Sequence, residues 1–170
     1  NKSLINLAFT HSSFKNKNKN YERLEFLGDR VLSLVISEYL FLKYPNEDEG
    51  ALSKRLSDLV SKHKLLEVAN EINIKEMLKA DNAEKKNLKL KKNISILSDV
   101  CEALIGAIFL DSNLDNAKKF ISKYWKKKIE RNILPPQDPK SFLQEIAQKN
   151  GLRLPEYVLK KKEGPSHSPR

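Results

Sequence analysis

The sequence has little cysteine, little glycine and no long apolar run, and each shortage narrows what the chain can be. Cys101 is the single cysteine of 170 residues, so no disulfide can form within the chain, and we expect a reducing, cytoplasmic location. The absence of a run of about 18 apolar residues argues against a membrane span. The N-terminal stretch "NKSLINLAFTHSSF" has no long apolar core typical of a secretory signal.

Charge is the strongest compositional signal. Lysine and arginine number 32 against 22 acidic residues, which gives a net charge of +10 and a pI near 9.6. Such an excess indicates partners rather than fold, and nucleic acid or another anionic surface is the natural one. A well-solvated protein surface is the alternative interpretation of the same charge.

Apolar periodicity predicts a helical first part, because glycine is scarce (5 residues) and β-branched alternation is almost absent before residue 155. A break near Ser61 would divide the stretch 51–72 into two helices. The lysine-rich stretch "KKNLKLKK", residues 85–92, is typical of a solvated linker. The helices are expected at about 3–12, 21–43, within 51–72, at 93–110, 114–130 and 140–151.

Proline marks the best domain boundary, "NILPPQDP" at residues 132–139. We therefore expect a domain at 1–132, a linker at 133–138 and a second unit at 139–170. In that unit, a short helix ending at Gly151 precedes the strand-like "PEYVLKKK" and a turn. The chain starts without methionine and stops at "GPSHSPR", so we expect a piece of a longer polypeptide.

Acidic residues stand where core residues are expected. In "YERLEFLGDRVL", Glu22, Glu25 and Asp29 share roughly one helix face. In the almost wholly apolar "NISILSDVCEALIGAIFLD", Asp99 and Glu102 are three residues apart, and their repulsion would be on the order of 3 kcal/mol at an effective dielectric of about 20. Buried carboxylates need a partner, a proton or a metal.

Two explanations fit these acids. If the two helices pack together, Glu25, Asp29, Asp99 and Glu102 form a four-carboxylate cluster whose oxygen ligands favour Mg²⁺, Mn²⁺ or Ca²⁺. Alternatively, the acids pair with arginines, namely Arg23, Arg30 or Arg55, or cap the helices. Di-iron chemistry would require Glu-x-x-His motifs, which the three histidines (His11, His63, His167) do not provide.

The motifs resemble those of the ribonuclease III family, endonucleases that cut double-stranded RNA. "YERLEFLGDRVL" is similar to the family signature, with "THSS" upstream and "SDVCEALIGAIFLD" downstream in the family's order. The tail from "DPKSFLQEIAQKNG" to "GPSHSP" resembles the first half of a double-stranded-RNA-binding domain. The resemblance implies an all-α endonuclease domain, of bacterial type, followed by an incomplete α+β RNA-binding domain.

The resemblance also implies residue roles. Glu25, Asp29, Asp99 and Glu102 would bind Mg²⁺, or Mn²⁺ in its place, with Asp29 and Glu102 the most important for catalysis. Glu22 would line the same cleft. Hydrolysis of the RNA would leave 5′-phosphate and 3′-hydroxyl ends. The process that the resemblance implies is RNA processing.

Further positions would bind partners. Phe26 matches a position that the family uses at its homodimer interface, although an ordinary core aromatic is the alternative. Gln144, Glu145, Gln148 and His167 resemble minor-groove contacts to duplex RNA. A second hypothesis for the whole chain is an RNA-binding protein of this fold that does not cut, but the presence of all four acids favours the enzyme.

The lysines of "KKFISKYWKKK", residues 118–128, are ascribed to a solvated helix face, and Tyr124 and Trp125 to packing.

Overall fold

Two long helices, α2 (Glu22–Lys43) and α6 (Ile94–Asp111), form the centre of the computed structural model, which describes residues 1–14, 19–80, 94–131, 135 and 139–158. Five more helices surround them in the first unit: α1 (Lys2–Ala8), α3 (Glu49–Leu59), α4 (Lys62–Glu71), α5 (Ile74–Met77) and α7 (Leu114–Arg131). A last helix, α8 (Pro139–Lys149), belongs to a second unit. The helical architecture predicted for the first part is confirmed.

The contact between α2 and α6 is the most extensive between any two helices, and glycine explains it. A Cβ atom on Gly28 would overlap the carbonyl oxygen of Glu102, and one on Gly106 would overlap the carbonyl oxygen of Leu24. The two backbones therefore touch directly at a crossing that no larger residue permits. This crossing places residues 25 and 29 of one helix beside residues 99 and 102 of the other.

The other helices complete the core around this pair. Helix α4 packs mainly on α6, and α3 packs on α2. Trp125 of α7 is fully buried, and its indole N–H donates a 2.8 Å hydrogen bond to the carbonyl oxygen of Leu59. Its predicted packing role is thus confirmed.

Ser61 separates α3 from α4 as predicted. It stands at the N-cap position, with an extended backbone, and its hydroxyl accepts a hydrogen bond from the amide of Lys64. The first helix is shorter than the expected 3–12, because it ends at Ala8. Just after this helix, Thr10 pairs with Lys79 through an isolated parallel bridge.

The chain divides into units Asn1–Pro136 and Gln137–Arg170. In the second unit, α8 ends before Gly151, whose φ of +65° favours glycine. The strand expected at 155–162 is described only over 155–158, and these residues form no strand, since the described part of this unit offers no pairing partner. Among residues 140–158 only Ala147 is buried. The predicted linker at 85–92 and His167 lie outside the described residues, as does most of 132–138.

Candidate metal centre and its surroundings

Three carboxylates meet where α2 and α6 cross. Oxygen atoms of Glu25, Asp99 and Glu102 all lie within 4.8 Å of one another, and all three residues are half-buried. In an octahedral Mg²⁺ site with bonds near 2.1 Å, ligand oxygens are about 3 to 4.2 Å apart. The spacing and the all-oxygen donor set therefore fit one hard divalent cation held by all three side chains.

Charge is concentrated at this place. Burial, which is the largest cause, and the neighbouring carboxylates of Asp29, Glu25 and Asp99 together raise the pKa of Glu102 to about 8. Burial, followed by the charges of Asp99 and Glu22, also raises the pKa of Glu25. A group of acids that resist ionisation in the absence of a cation is the electrostatic signature of a cation-binding site.

The fourth predicted acid, Asp29, lies outside the group of three. Its Oδ2 is 3.1 Å from the guanidinium of Arg30, so an arginine does pair with one of the acids. Asp29 is nevertheless the charged neighbour with the largest effect on the pKa of Glu102. Arg55, another arginine considered as a partner, pairs with Glu47 instead.

The remaining predicted residues of the first unit lie on its surface. Glu22 is exposed at the start of α2 and lines a groove between α1 and α2. Phe26 is 67% exposed, with the Arg30 guanidinium 5.7 Å from its ring centre, so the alternative of a core aromatic is wrong. The same groove is lined by Leu4 and Leu7, among others.

In the second unit, the predicted RNA contacts are accessible. Gln144, Glu145 and Gln148 are all exposed on α8. Gln144 and Gln148 are four residues apart and so share one helix face. Helix α8 belongs to the unit Gln137–Arg170, whereas the carboxylate cluster belongs to the unit Asn1–Pro136.

Sequence reasoning missed the residues that hold Asp99. The Ser95 hydroxyl donates to Asp99 Oδ2 at 3.3 Å, and the Ser98 hydroxyl lies 3.4 Å from Oδ1. The ammonium of Lys62 donates to Ser95 Oγ at 2.6 Å and lies 3.8 Å from Asp99 Oδ1. One signal was visible beforehand: α4 begins with Lys62, His63 and Lys64, cations at the helix end that disfavours them.

Both units of the chain match known protein families. Residues 1–129 match the family model described as Ribonuclease-III-like, and residues 139–170 match the double-stranded RNA binding motif. Ribonuclease 3 of Wolbachia sp. subsp. Brugia malayi (strain TRS) is 45% identical over 174 residues, covering 99% of this chain and 71% of the relative. Ribonuclease 3 of Ehrlichia ruminantium (strain Welgevonden) is 45% identical over 172 residues, covering 99% and 75%.

Solved structures agree as well. The nuclease domain of ribonuclease III from Campylobacter jejuni superposes with a TM-score of 0.67 at 43% identity, covering 81% of this chain and 89% of that one. Dicer from Pichia stipitis gives a TM-score of 0.61 at 26% identity, covering 88% and 66%. No helix among the described residues is long and apolar enough to cross a membrane. The chain belongs to the ribonuclease III family and is an endoribonuclease followed by a double-stranded-RNA-binding motif.

Proposed function

We propose that this endoribonuclease cleaves duplex RNA by metal-dependent phosphodiester hydrolysis, leaving 5′-phosphate and 3′-hydroxyl ends, in cytoplasmic RNA processing. The observation that carries the proposal is the group of Glu25, Asp99 and Glu102 oxygens within 4.8 Å. The fit to an octahedral oxygen site favours Mg²⁺, with Mn²⁺ as a substitute. When bound, such an ion activates water and offsets charge on the reacting phosphate.

The residues of the cluster have distinct tasks in this proposal. Glu25, Asp99 and Glu102 would hold the ion through their half-buried carboxylates. Asp29 completes the acidic environment beside Glu102, and its ion pair with Arg30 sets where its carboxylate lies. We therefore assign catalytic importance to Asp29 as well as Glu102, with Glu22 at the edge of the cleft.

The basic surface supplies the affinity for the polyanion. The chain carries a net charge of +10, and attraction to phosphates grows with the number of cations that meet them. Gln144, Glu145 and Gln148 are proposed to read the minor groove from α8, with His167 of the turn beyond. The proposed division is 1–132 for the nuclease, 133–138 for the linker and 139–170 for RNA binding.

Homodimerisation through Phe26 is part of the proposal. A side chain of this size that is 67% exposed beside an apolar groove is typical of an interface. One Campylobacter jejuni structure, at a TM-score of 0.68, concerns flexibility in the region of that nuclease domain involved in dimer formation. Sedimentation of this chain would show a mass of two chains, reduced to one by Phe26→Glu.

The decisive experiment measures cleavage of a labelled RNA duplex with Mg²⁺ by the unmodified chain, Glu102→Gln and Glu130→Gln. Glu102→Gln keeps the shape of the side chain but removes its charge, and we expect a loss on the order of 100-fold or more. Glu130, an exposed residue of α7, provides the matched control and should retain full activity. The unmodified chain should give products that a 5′-phosphate-dependent exonuclease degrades.

Two results would contradict the proposal. Equal cleavage by Glu102→Gln and Glu130→Gln would remove the cluster from catalysis. A chain that binds the duplex but leaves it intact with both Mg²⁺ and Mn²⁺ would support the alternative of a non-cutting RNA-binding protein.

A further inference from the structure

Lys62 begins helix α4 at a position that the helix itself does not favour. The positive end of the helix dipole is at this N-terminus, and the first turn contains no acidic residue. Its two basic neighbours are accounted for locally, since His63 and Lys64 lie 3.3 and 3.5 Å from Glu67 within the same helix. The contacts of Lys62 are instead with α6.

A directed chain of hydrogen bonds joins Lys62 to the acidic cluster. The Lys62 ammonium donates to Ser95 Oγ at 2.6 Å, and the Ser95 hydroxyl donates to Asp99 Oδ2 at 3.3 Å. The ammonium is also 3.8 Å from the other Asp99 oxygen. Asp99 is therefore held on both oxygens by groups that face it from α4 and α6.

The charge of Lys62 acts on the whole cluster. It lowers the pKa values of Glu25 and Glu102, against the burial and the neighbouring acids that raise them. Arg30 pairs with Asp29 at 3.1 Å, and Lys62 is the cation that the described residues place beside Asp99. The Lys62 side chain is nevertheless 64% exposed, so its flexible stem can leave without opening the core.

We propose that Lys62 is a positioning residue that acts through Asp99: it is the counter-cation of the metal-free cluster, and binding of a divalent ion displaces it. This inference rests on the proposed function, since it takes the carboxylates to be the ion site. Repulsion between an ion bound to Asp99 and an ammonium 3.8 Å from the same carboxylate makes the two cations competitors. Lys62 keeps the acidic side chains together until the ion arrives, and it lowers the affinity for that ion.

Calorimetric titration with Mg²⁺ tests the competition. It compares the unmodified chain with Lys62→Met, Lys62→Arg and the control Lys64→Met, at about pH 9 so that protonation of Glu102 does not compete. Lys62→Met should bind Mg²⁺ roughly fivefold more tightly, as expected for loss of one nearby charge at a solvated site. Lys62→Arg and Lys64→Met should bind as the unmodified chain does.

Thermal unfolding of the same proteins provides the second readout. In chelator, Lys62→Met should unfold at a lower temperature than the unmodified chain, and saturating Mg²⁺ should close that gap. A purely structural lysine would leave the gap open. Weaker or unchanged Mg²⁺ affinity of Lys62→Met would overturn the inference. Absence of Mg²⁺ binding by the unmodified chain would instead overturn the metal site of the proposed function, and this inference with it.

Discussion

Two groups of charged residues in the same helical unit shift the pKa values of their acids in opposite directions. Glu47 accepts two hydrogen bonds, at 2.7 and 2.6 Å, from the guanidinium of Arg55, which is almost fully buried. The hydrogen bond with Arg55 lowers the pKa of Glu47, whereas burial and neighbouring acids raise that of Glu102 to about 8. The first group is complete within the protein, whereas the second is the group that we propose binds a cation. We call Arg55 with Glu47 the arginine pair, and Glu25, Asp99 and Glu102 the acidic cluster.

The difference shows how structural and functional carboxylates can be told apart. The arginine pair is also covered by the ring of Tyr44, 3.9 Å from the guanidinium carbon of Arg55, so its charge is neutralised and shielded. In the acidic cluster, three carboxylates share a place with one exposed lysine. A protein retains such an uncompensated arrangement at a cost in stability, which is typical of a functional site.

The largest change should come from Gly28→Ala, which would break the geometry of the acidic cluster and leave the arginine pair intact. The new methyl group would overlap the Glu102 carbonyl oxygen, so α2 and α6 must separate. We expect a loss of about 3 kcal/mol in the free energy of unfolding, measured by urea denaturation. The control is Gly50→Ala in α3, where the new methyl group would lie 3.5 Å from a side-chain oxygen of Asp48 and no such loss is expected. Equal stability of the two variants would contradict the tight crossing.

Arg55→Met should have the next largest effect, because it breaks the arginine pair alone. The melting temperature at neutral pH should fall by several degrees. Glu47 has a lowered pKa in the folded state, so its contribution is present above its ordinary pKa of 4.5 and is lost as pH falls through the folded value. The difference between variant and unmodified chain should therefore narrow in acid. Lys43→Met is the control, since Lys43 lies over Tyr39 and Tyr44 but is itself exposed. A difference independent of pH would contradict this account.

The smallest effect, and the one that sharpens the comparison most, is the pH dependence of stability in chelator. Because the folded-state pKa of Glu102 is raised, the protonated side chain contributes its full stabilisation of the folded state below its ordinary pKa of 4.5. This contribution to the free energy of unfolding is lost as pH rises toward 8. The unmodified chain should lose about 1–2 kcal/mol over this range, a figure reduced for screening by solvent. Glu102→Gln should not show the loss, and neither should the unmodified chain with saturating Mg²⁺. A flat profile for the unmodified chain in chelator would contradict the account.

The helices and the acids could be predicted because they depend on local pattern. Helix α2 was expected from residue 21 and begins at Glu22, and the break at Ser61 follows from its preference for the N-cap position. Spacing of three and four residues placed Glu25 and Asp99 on faces that meet if the two helices pack together. Helical periodicity therefore accounts for most of the cluster.

The rest depends on contacts between distant parts of the chain. Lys62 and Ser95 are 33 positions apart, and no sequence pattern joins them. Asp29 was expected within the group, but it lies outside the group of three, and its carboxylate is 3.1 Å from the guanidinium of the adjacent Arg30. Gly28 reads in the sequence as a weak helix residue, and only the crossing shows why an alanine would not fit. The expected strand at 155–162 depended on a pairing partner that the described residues do not contain.

The crossing at Gly28 and Gly106 also has a consequence for how the chain can change. In a packed core, a larger side chain at one position can be offset by a smaller one at a neighbouring position. At this crossing the two backbones touch directly, so no side chain lies between them that could be replaced in this way. Gly28 and Gly106 lie within four residues of Glu25 and Glu102, whereas Val35, Ile36 and Leu40 lie further along α2. Substitutions at the two glycines should therefore alter the separation of the carboxylates more than substitutions at those three positions. Gly28 and Gly106 therefore fix how closely the backbones of α2 and α6 approach each other at the crossing.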